Sequence, residues 1–101
     1  MTRLVVAADA ATDTSEILAY LEREAGPRVP EDYGRCFRTT VERVVDFPGS
    51  SAPRPALGSN ARIAIVSPYI LIYDYAREDD TIMLLRVLHG RRNITRDLLR
   101  R

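Results

Sequence analysis

Several residue types are scarce or absent in this 101-residue sequence, which has one cysteine, one histidine, no tryptophan and no lysine. The single cysteine, Cys36, excludes a disulfide within the chain and fits a reducing compartment. No segment approaches the roughly 18 consecutive apolar residues that a membrane span requires. Asp9 interrupts the apolar N-terminus too early for a signal peptide. We therefore expect a cytoplasmic protein without a membrane segment, and we predict neither a metal site nor a cofactor.

The composition is that of an ordinary globular protein, with 46% hydrophobic and 29% charged residues. A chain of this length forms one domain, which we expect to span residues 1–101. The net charge of +1 conceals an asymmetry, because residues 86–101 hold six arginines and one aspartate. We therefore define residues 89–101 as a basic C-terminal tail on a mildly acidic body.

Two amphipathic helices are predicted after a short apolar strand at residues 4–8. Apolar side chains recur at three- and four-residue spacing over residues 17–25, with Asp9 as the expected N-cap and Gly26-Pro27 as the end. The same spacing continues over residues 33–45 and stops at Phe47-Pro48. Because the connection between the helices is so short, we expect an antiparallel helical hairpin.

The second half of the chain is predicted to be a loop and then three strands. Residues 49–60 are rich in serine, glycine and proline, and residues 61–66 return to β-type composition. Ser67-Pro68 is a tight connection, and residues 69–75 and 81–89 read as a β-hairpin. Side chains alternate along a strand. We expect one face to carry Ile70, Ile72, Ile82 and Leu84, and the other Leu71, Tyr73, Met83 and Leu85.

Both faces of this hairpin are therefore apolar, and a single helical hairpin covers only one of them. We expect the other face to need a partner protein, since monomers seldom expose a large apolar surface. The alternative is that the 49–60 loop and the C-terminal tail pack on it. Residues 94–99 fit either a marginal helical turn or a frayed tail.

The order strand, helix, helix, strand, strand, strand occurs together with several short motifs. These motifs are Phe47-Pro48, the Arg-Pro-Ala-Leu-Gly of residues 54–58, the Tyr-Ile-Leu-Ile-Tyr of residues 69–73, and the Leu-Arg-Val-Leu-His-Gly-Arg-Arg-Asn of residues 85–93. In these features the sequence resembles the ParE branch of the RelE/ParE superfamily. The resemblance implies an α+β fold, β-α-α-β-β-β, with the helical hairpin packed on an antiparallel sheet.

The resemblance also implies a function. ParE-like proteins are toxins of bacterial type II toxin–antitoxin modules, and they are associated with inhibition of DNA gyrase. A ParD-like antitoxin would neutralise the toxin by direct binding in a hetero-oligomer, a heterotetramer or larger. Two alternatives stay open: a ribosome-dependent mRNA endoribonuclease of RelE type, and an inactive family member that only binds its antitoxin.

The residues favour binding over catalysis. Ile63 and Ile70 stand where the ribonuclease branch would place a lysine and an arginine, and only Arg92 of that basic set remains. Phosphodiester cleavage needs cations around the phosphate and a group that transfers a proton. His89 has no evident partner for such a role. We therefore predict a protein that is not an enzyme and, with a sequence pI near 7.9, does not bind nucleic acid directly.

Two sets of residues are candidates for binding. The basic end of the chain is the candidate surface for toxicity and target binding, although a basic tail can also be plain solvated surface. Its residues are Arg86, His89, Arg91, Arg92 and Arg96. Apolar residues of the helices and the hairpin are the candidate antitoxin-binding surface, and they are Ile17, Leu21, Tyr33, Phe37, Leu71, Tyr73, Met83 and Leu85.

Overall fold

Two helices pack on one face of a five-stranded sheet in the computed structural model, which describes residues 2–99. The elements in chain order are β1 (Arg3–Val6), α1 (Ala8–Ala25), α2 (Arg28–Asp46), β2 (Ala52–Pro53), β3 (Ala61–Val66), β4 (Tyr69–Ala76), β5 (Thr81–His89) and a 3₁₀ helix (Arg96–Leu99). This architecture confirms the predicted α+β fold. Arg100 and Arg101 of the predicted basic tail lie outside the described residues.

The strand order is β1-β5-β4-β3-β2, and the sheet is mixed. Strands β2 to β5 pair in antiparallel fashion, whereas β1 pairs with β5 in parallel. The helical hairpin carries the chain away from β1, and the meander of β3, β4 and β5 returns it beside β1 in the same direction. The short strand β2 lies in the segment predicted to be a loop and pairs with Arg62 and Ile63.

The helix boundaries follow from local chemistry. The N-cap of α1 is Ala7, so the prediction that Asp9 caps the helix was wrong. Asp9 lies in the first turn, where its negative charge interacts favourably with the helix dipole. Gly26 ends α1 with φ of 83°, a conformation that glycine adopts without steric cost, and its N–H donates to the carbonyl of Glu22.

The main core lies between the helices and the sheet face that we call the helix face. Tyr73 lies in this core and is 1% exposed, and its hydroxyl donates to the carbonyl of Pro48 at 3.3 Å. The buried members of this core are Ala10, Phe37, Val44, Ala64, Tyr69, Leu71, Tyr73, Ile82, Leu84 and Val87. Burial of these side chains is the main source of stability for the helical hairpin.

The pairing of the two hairpin strands places their side chains on faces that differ from the predicted ones. Tyr73 lies opposite Leu84, and Tyr75 lies opposite Ile82, so these four side chains share the helix face. Met83 and Leu85 therefore lie with Ile70 and Ile72 on the opposite face, which we call the second face. The predicted face assignment across the hairpin was wrong, because strand periodicity says nothing about register between strands.

The chain itself covers the second face. Its buried residues are Ile63, Ile72, Leu85 and Leu88. Leu57 of the loop and three residues near the C-terminus, Ile94, Leu98 and Leu99, pack against them. The loop and the tail thus pack on this cluster, as the alternative predicted, so the expectation that the whole face is left for a partner was wrong. Ile65, on the same face as Ile63, remains 60% exposed.

Candidate functional site

An ion pair at the distal end of β5 connects three parts of the fold. Strand β1 ends with Val6 opposite Leu84, so β5 extends beyond its neighbour from residue 85 onward. The Asp13 carboxylate of α1 lies along this free edge and accepts a hydrogen bond from the Val87 N–H at 3.0 Å. It also accepts from Arg86 Nε at 2.7 Å and from Arg86 Nη2 at 3.0 Å.

The remaining Arg86 nitrogen reaches the C-terminal tail. Arg86 Nη1 donates to the backbone carbonyl of Leu98 at 2.8 Å. The side chains of Arg86 and Asp13 are only 16% and 11% exposed. The hydrogen bond to Asp13 raises the pKa of Arg86, while partial burial acts in the opposite direction. Arg86 is thus engaged within the molecule and mostly buried, whereas the other four residues proposed for target binding are exposed.

Those four residues, His89, Arg91, Arg92 and Arg96, are exposed near the start of the tail. The tail begins with a turn, in which the Arg92 N–H donates to the His89 carbonyl at 3.0 Å. His89 Nδ1 accepts from the backbone N–H of Arg91 at 3.1 Å, and its ring stands edge-on to Tyr69 with a centroid distance of 5.7 Å. His89 therefore helps to shape this turn.

Gly90 is required by a close backbone approach at the same turn. Its N–H donates to the Pro68 carbonyl at 2.8 Å, and a Cβ at this position would lie 3.1 Å from that oxygen. A side chain here would push the tail away from the β3–β4 connection. The glycine of the Leu-His-Gly motif thus fixes where the tail leaves the sheet.

A groove of about 300 Å³, the terminal groove, runs between α1 and the distal end of β5. Its lining residues are Asp13, Glu16, Ile17, Tyr20, Tyr69, Val87, Leu88, His89 and Arg92. It brings Ile17, predicted to bind antitoxin, beside His89 and Arg92, predicted to bind the target. Burial, and then the proximity of Tyr33, raise the pKa of Tyr69 in its wall.

The other residues predicted to bind antitoxin fall into two groups. Phe37, Leu71, Tyr73 and Leu85 are buried in the free chain and present almost no surface to a partner. Leu21, Tyr33 and Met83 are partly exposed, as is Ile17. Periodicity identified apolar residues correctly, but it did not separate those that fill the core from those that remain accessible.

The edge strand β1 carries accessible apolar surface that the sequence analysis did not single out. Leu4 lies opposite Ile82 and Val6 opposite Leu84, so both side chains point to the helix face. They nevertheless remain 38% and 49% exposed, and we call this pair the β1 shelf. Leu4 also borders an apolar cleft lined by Val41 and Val44 of α2. In the sequence these residues belong only to a short apolar strand, which gives no signal of exposure.

The sequence as a whole matches the family model described as the ParE toxin of the type II toxin–antitoxin system, parDE, over residues 4–94. The chain belongs to the ParE toxin family. No curated protein sequence matches it significantly. ParE toxins are components of type II toxin–antitoxin systems, which agrees with the family named from the sequence motifs.

Two solved structures share the fold of this ParE toxin. A chain of the chromosomal ParDE TA system from P. aeruginosa superposes with a TM-score of 0.74 at 19% identity, covering 88% of this chain and 96% of that chain. The isolated E. coli RelE toxin superposes with a TM-score of 0.61 at 16% identity, covering 92% of this chain and 88% of that chain. Both branches of the superfamily therefore resemble the toxin in fold.

The described part of the ParE toxin contains neither a metal-binding cluster nor a membrane-spanning helix. Over residues 2–99, no three histidine, cysteine or acidic side chains lie close enough together to hold a metal ion. Within the same residues, no helix is both long and apolar enough to cross a membrane. The accessible features of the described residues include the terminal groove, the β1 shelf and three exposed arginines, Arg91, Arg92 and Arg96, which we call the basic turn.

Proposed function

We propose that this ParE toxin inhibits DNA gyrase by binding it and that a ParD-like antitoxin neutralises the toxin. The observation that carries the proposal is the state of the second face. Ile63, at a position where the ribonuclease branch would present a cation, is 8% exposed within an apolar cluster. That face therefore serves packing.

The surroundings of Ile63 support binding rather than RNA cleavage. Ile70, the other replaced position, also packs against the second-face cluster. The isoleucines themselves supply neither the cation nor the proton-transfer group that cleavage needs at these two positions. His89 lies at the terminal groove, beside Tyr69 of the helix-face core.

The basic turn is the surface that we assign to the target. Arg91, Arg92 and Arg96 are exposed, and Arg92 lies at the terminal groove. Arginine forms bidentate hydrogen bonds with carboxylates and is enriched in the residues that dominate binding energy at interfaces. An acidic surface of gyrase is the complementary partner in this proposal.

The β1 shelf is the surface that we assign to the antitoxin. Leu4 and Val6 lie on a strand that pairs with β5 on one side only. An unpaired strand edge offers backbone hydrogen bonds to an added segment, and exposed apolar side chains next to it offer a site for a partner helix. An antitoxin segment that covers both would assemble a hetero-oligomer, proposed to be a heterotetramer or larger.

The test is a pair of reactions with purified toxin. Gyrase supercoiling of relaxed plasmid is measured over a toxin titration, with and without the cognate antitoxin. A reconstituted translation reaction reports ribosome-dependent cleavage of the message. We expect the toxin to inhibit supercoiling by gyrase and the antitoxin to restore it. In the translation reaction we expect the message to stay intact.

Two other results would each replace the proposal with an alternative. Cleaved message with normal supercoiling would establish the RelE-type activity. Normal supercoiling and intact message, together with formation of a toxin–antitoxin complex, would identify an inactive member that retains only antitoxin binding.

A further inference from the structure

The hydrogen bonds of Arg86 connect helix α1 with the C-terminal tail, two segments that are far apart in the sequence. Nε and Nη2 bind Asp13, 73 residues earlier, and Nη1 binds the Leu98 carbonyl, 12 residues later. One planar guanidinium thus connects α1 to the end of the tail. Lysine has no such fork and could not serve both acceptors in the same geometry.

The tail is held on the second face by this connection together with partial apolar burial. Ile94, Leu98 and Leu99 are only partly buried on the second face, and the 3₁₀ helix contains four residues. A helix of this length is unstable without tertiary contacts. A charge-assisted hydrogen bond to the Leu98 carbonyl therefore contributes substantially to holding the segment in place.

Asp13 in turn fixes the direction of the Arg86 side chain. Its carboxylate is held by the Val87 N–H as well as by the two guanidinium nitrogens. The bidentate contact sets the plane of the guanidinium, which directs Nη1 toward Leu98. Asp13 thus acts on the tail through Arg86.

We infer that Asp13 and Arg86 are positioning residues that dock the C-terminal tail and thereby hold its exposed arginines in the arrangement that binds the target. Arg86 acts through the tail and does not itself contact the target. The structural part of this inference stands on geometry alone, and its functional part rests on the proposed function.

The first measurement is amide hydrogen exchange by NMR in Asp13→Asn and Arg86→Lys. Asp13→Asn keeps an oxygen for the Val87 N–H, and Arg86→Lys keeps the charge, so both variants are expected to fold. The reporter is the Leu98 amide, which is hydrogen-bonded to the Thr95 carbonyl. We expect its exchange to accelerate about tenfold or more in each variant. The controls are Glu24→Gln on α1 and Arg38→Lys on α2, which change exposed groups outside the Asp13–Arg86 ion pair. Both controls should leave exchange of the Leu98 amide unchanged.

The second measurement is the toxin concentration that halves gyrase supercoiling. Because only the docked fraction binds, this concentration rises in inverse proportion to that fraction. A rise of about tenfold therefore requires that the tail be undocked in most molecules, which loss of protection at the Leu98 amide reports. Faster Leu98 exchange with weaker inhibition in both variants, and neither effect in the controls, supports the inference. Unchanged Leu98 exchange overturns it.

A Leu98 amide that has lost its protection, together with inhibition unchanged within about twofold, overturns the functional part, because a mostly undocked tail would then still bind the target. If the wild-type toxin leaves gyrase unaffected, the proposed function fails. The exchange comparison then still decides whether Asp13 and Arg86 position the tail.

Discussion

Replacing both residues of the β1 shelf by threonine should weaken the toxin–antitoxin complex without disabling the toxin. The double variant Leu4→Thr/Val6→Thr removes apolar surface from β1 but keeps residues that favour β-strands. In the free toxin, 38% of Leu4 and 49% of Val6 are exposed. An antitoxin that covers the shelf must bury these fractions.

The magnitude follows from those exposures. Complete burial of a leucine or valine side chain contributes about 1.5–3 kcal/mol, so covering the exposed parts of both contributes about 1.3–2.6 kcal/mol. The dissociation constant should therefore increase by about 10- to 80-fold, measured by isothermal titration calorimetry. Gyrase inhibition by the free variant should remain close to that of the wild type.

The matched control is Ile65→Thr. Ile65 is 60% exposed on β3, remote from β1 in the strand order, and should leave antitoxin affinity unchanged. Thermal unfolding verifies that each variant is folded at the assay temperature. Antitoxin affinity within about threefold of wild type in the double variant would refute the assignment of the β1 shelf. An equal loss in the control variant would point to a nonspecific apolar effect.

Three further outcomes are expected. Ile63→Lys should lower the free energy of unfolding in urea by more than about 3 kcal/mol, because it places an unpaired ammonium in an apolar cluster; a loss under about 1 kcal/mol would show that the second face is not closed. Arg91→Ala/Arg92→Ala should raise the toxin concentration for half-inhibition of gyrase at least about tenfold, and unchanged inhibition would remove the basic turn from the target surface. The raised pKa of Tyr69 means that the folded state favours the neutral phenol, so this contribution to stability is present below the ordinary pKa of about 10 and is lost as pH rises through the folded-state pKa. Thermal unfolding between pH 9 and 11 should therefore show a smaller loss of stability in Tyr69→Phe than in the wild type, and equal losses would contradict the role of Tyr69.

Local sequence patterns predicted the elements of this fold because the forces that form them act over a few residues. Three- and four-residue spacing located both helices, and Gly26-Pro27 marked the break between them, since glycine tolerates the positive φ that ends α1. Short runs rich in β-branched, aromatic or other large apolar residues located β4 and β5. The motifs of the last strand and the turn after it also indicated the ParE toxin family.

Long-range contacts decided the features that local patterns left open. A register irregularity at Ile72/Tyr73, together with the hairpin turn, sets which residues of β4 and β5 share a face. The closure of the second face depends on three partly buried residues near the C-terminus, whose individual propensity for structure is small.

The same distinction applies to the candidate site. The sequence showed that the end of the chain is basic, and the exposed arginines at residues 91, 92 and 96 agree with that reading. It did not show that Arg86 differs from them, because its acidic partner lies 73 residues away. The sequence by itself determined the elements, the family and the sign of the terminal charge. Only the tertiary structure decided which apolar and charged side chains remain available to a partner, because burial depends on contacts between segments distant in the chain.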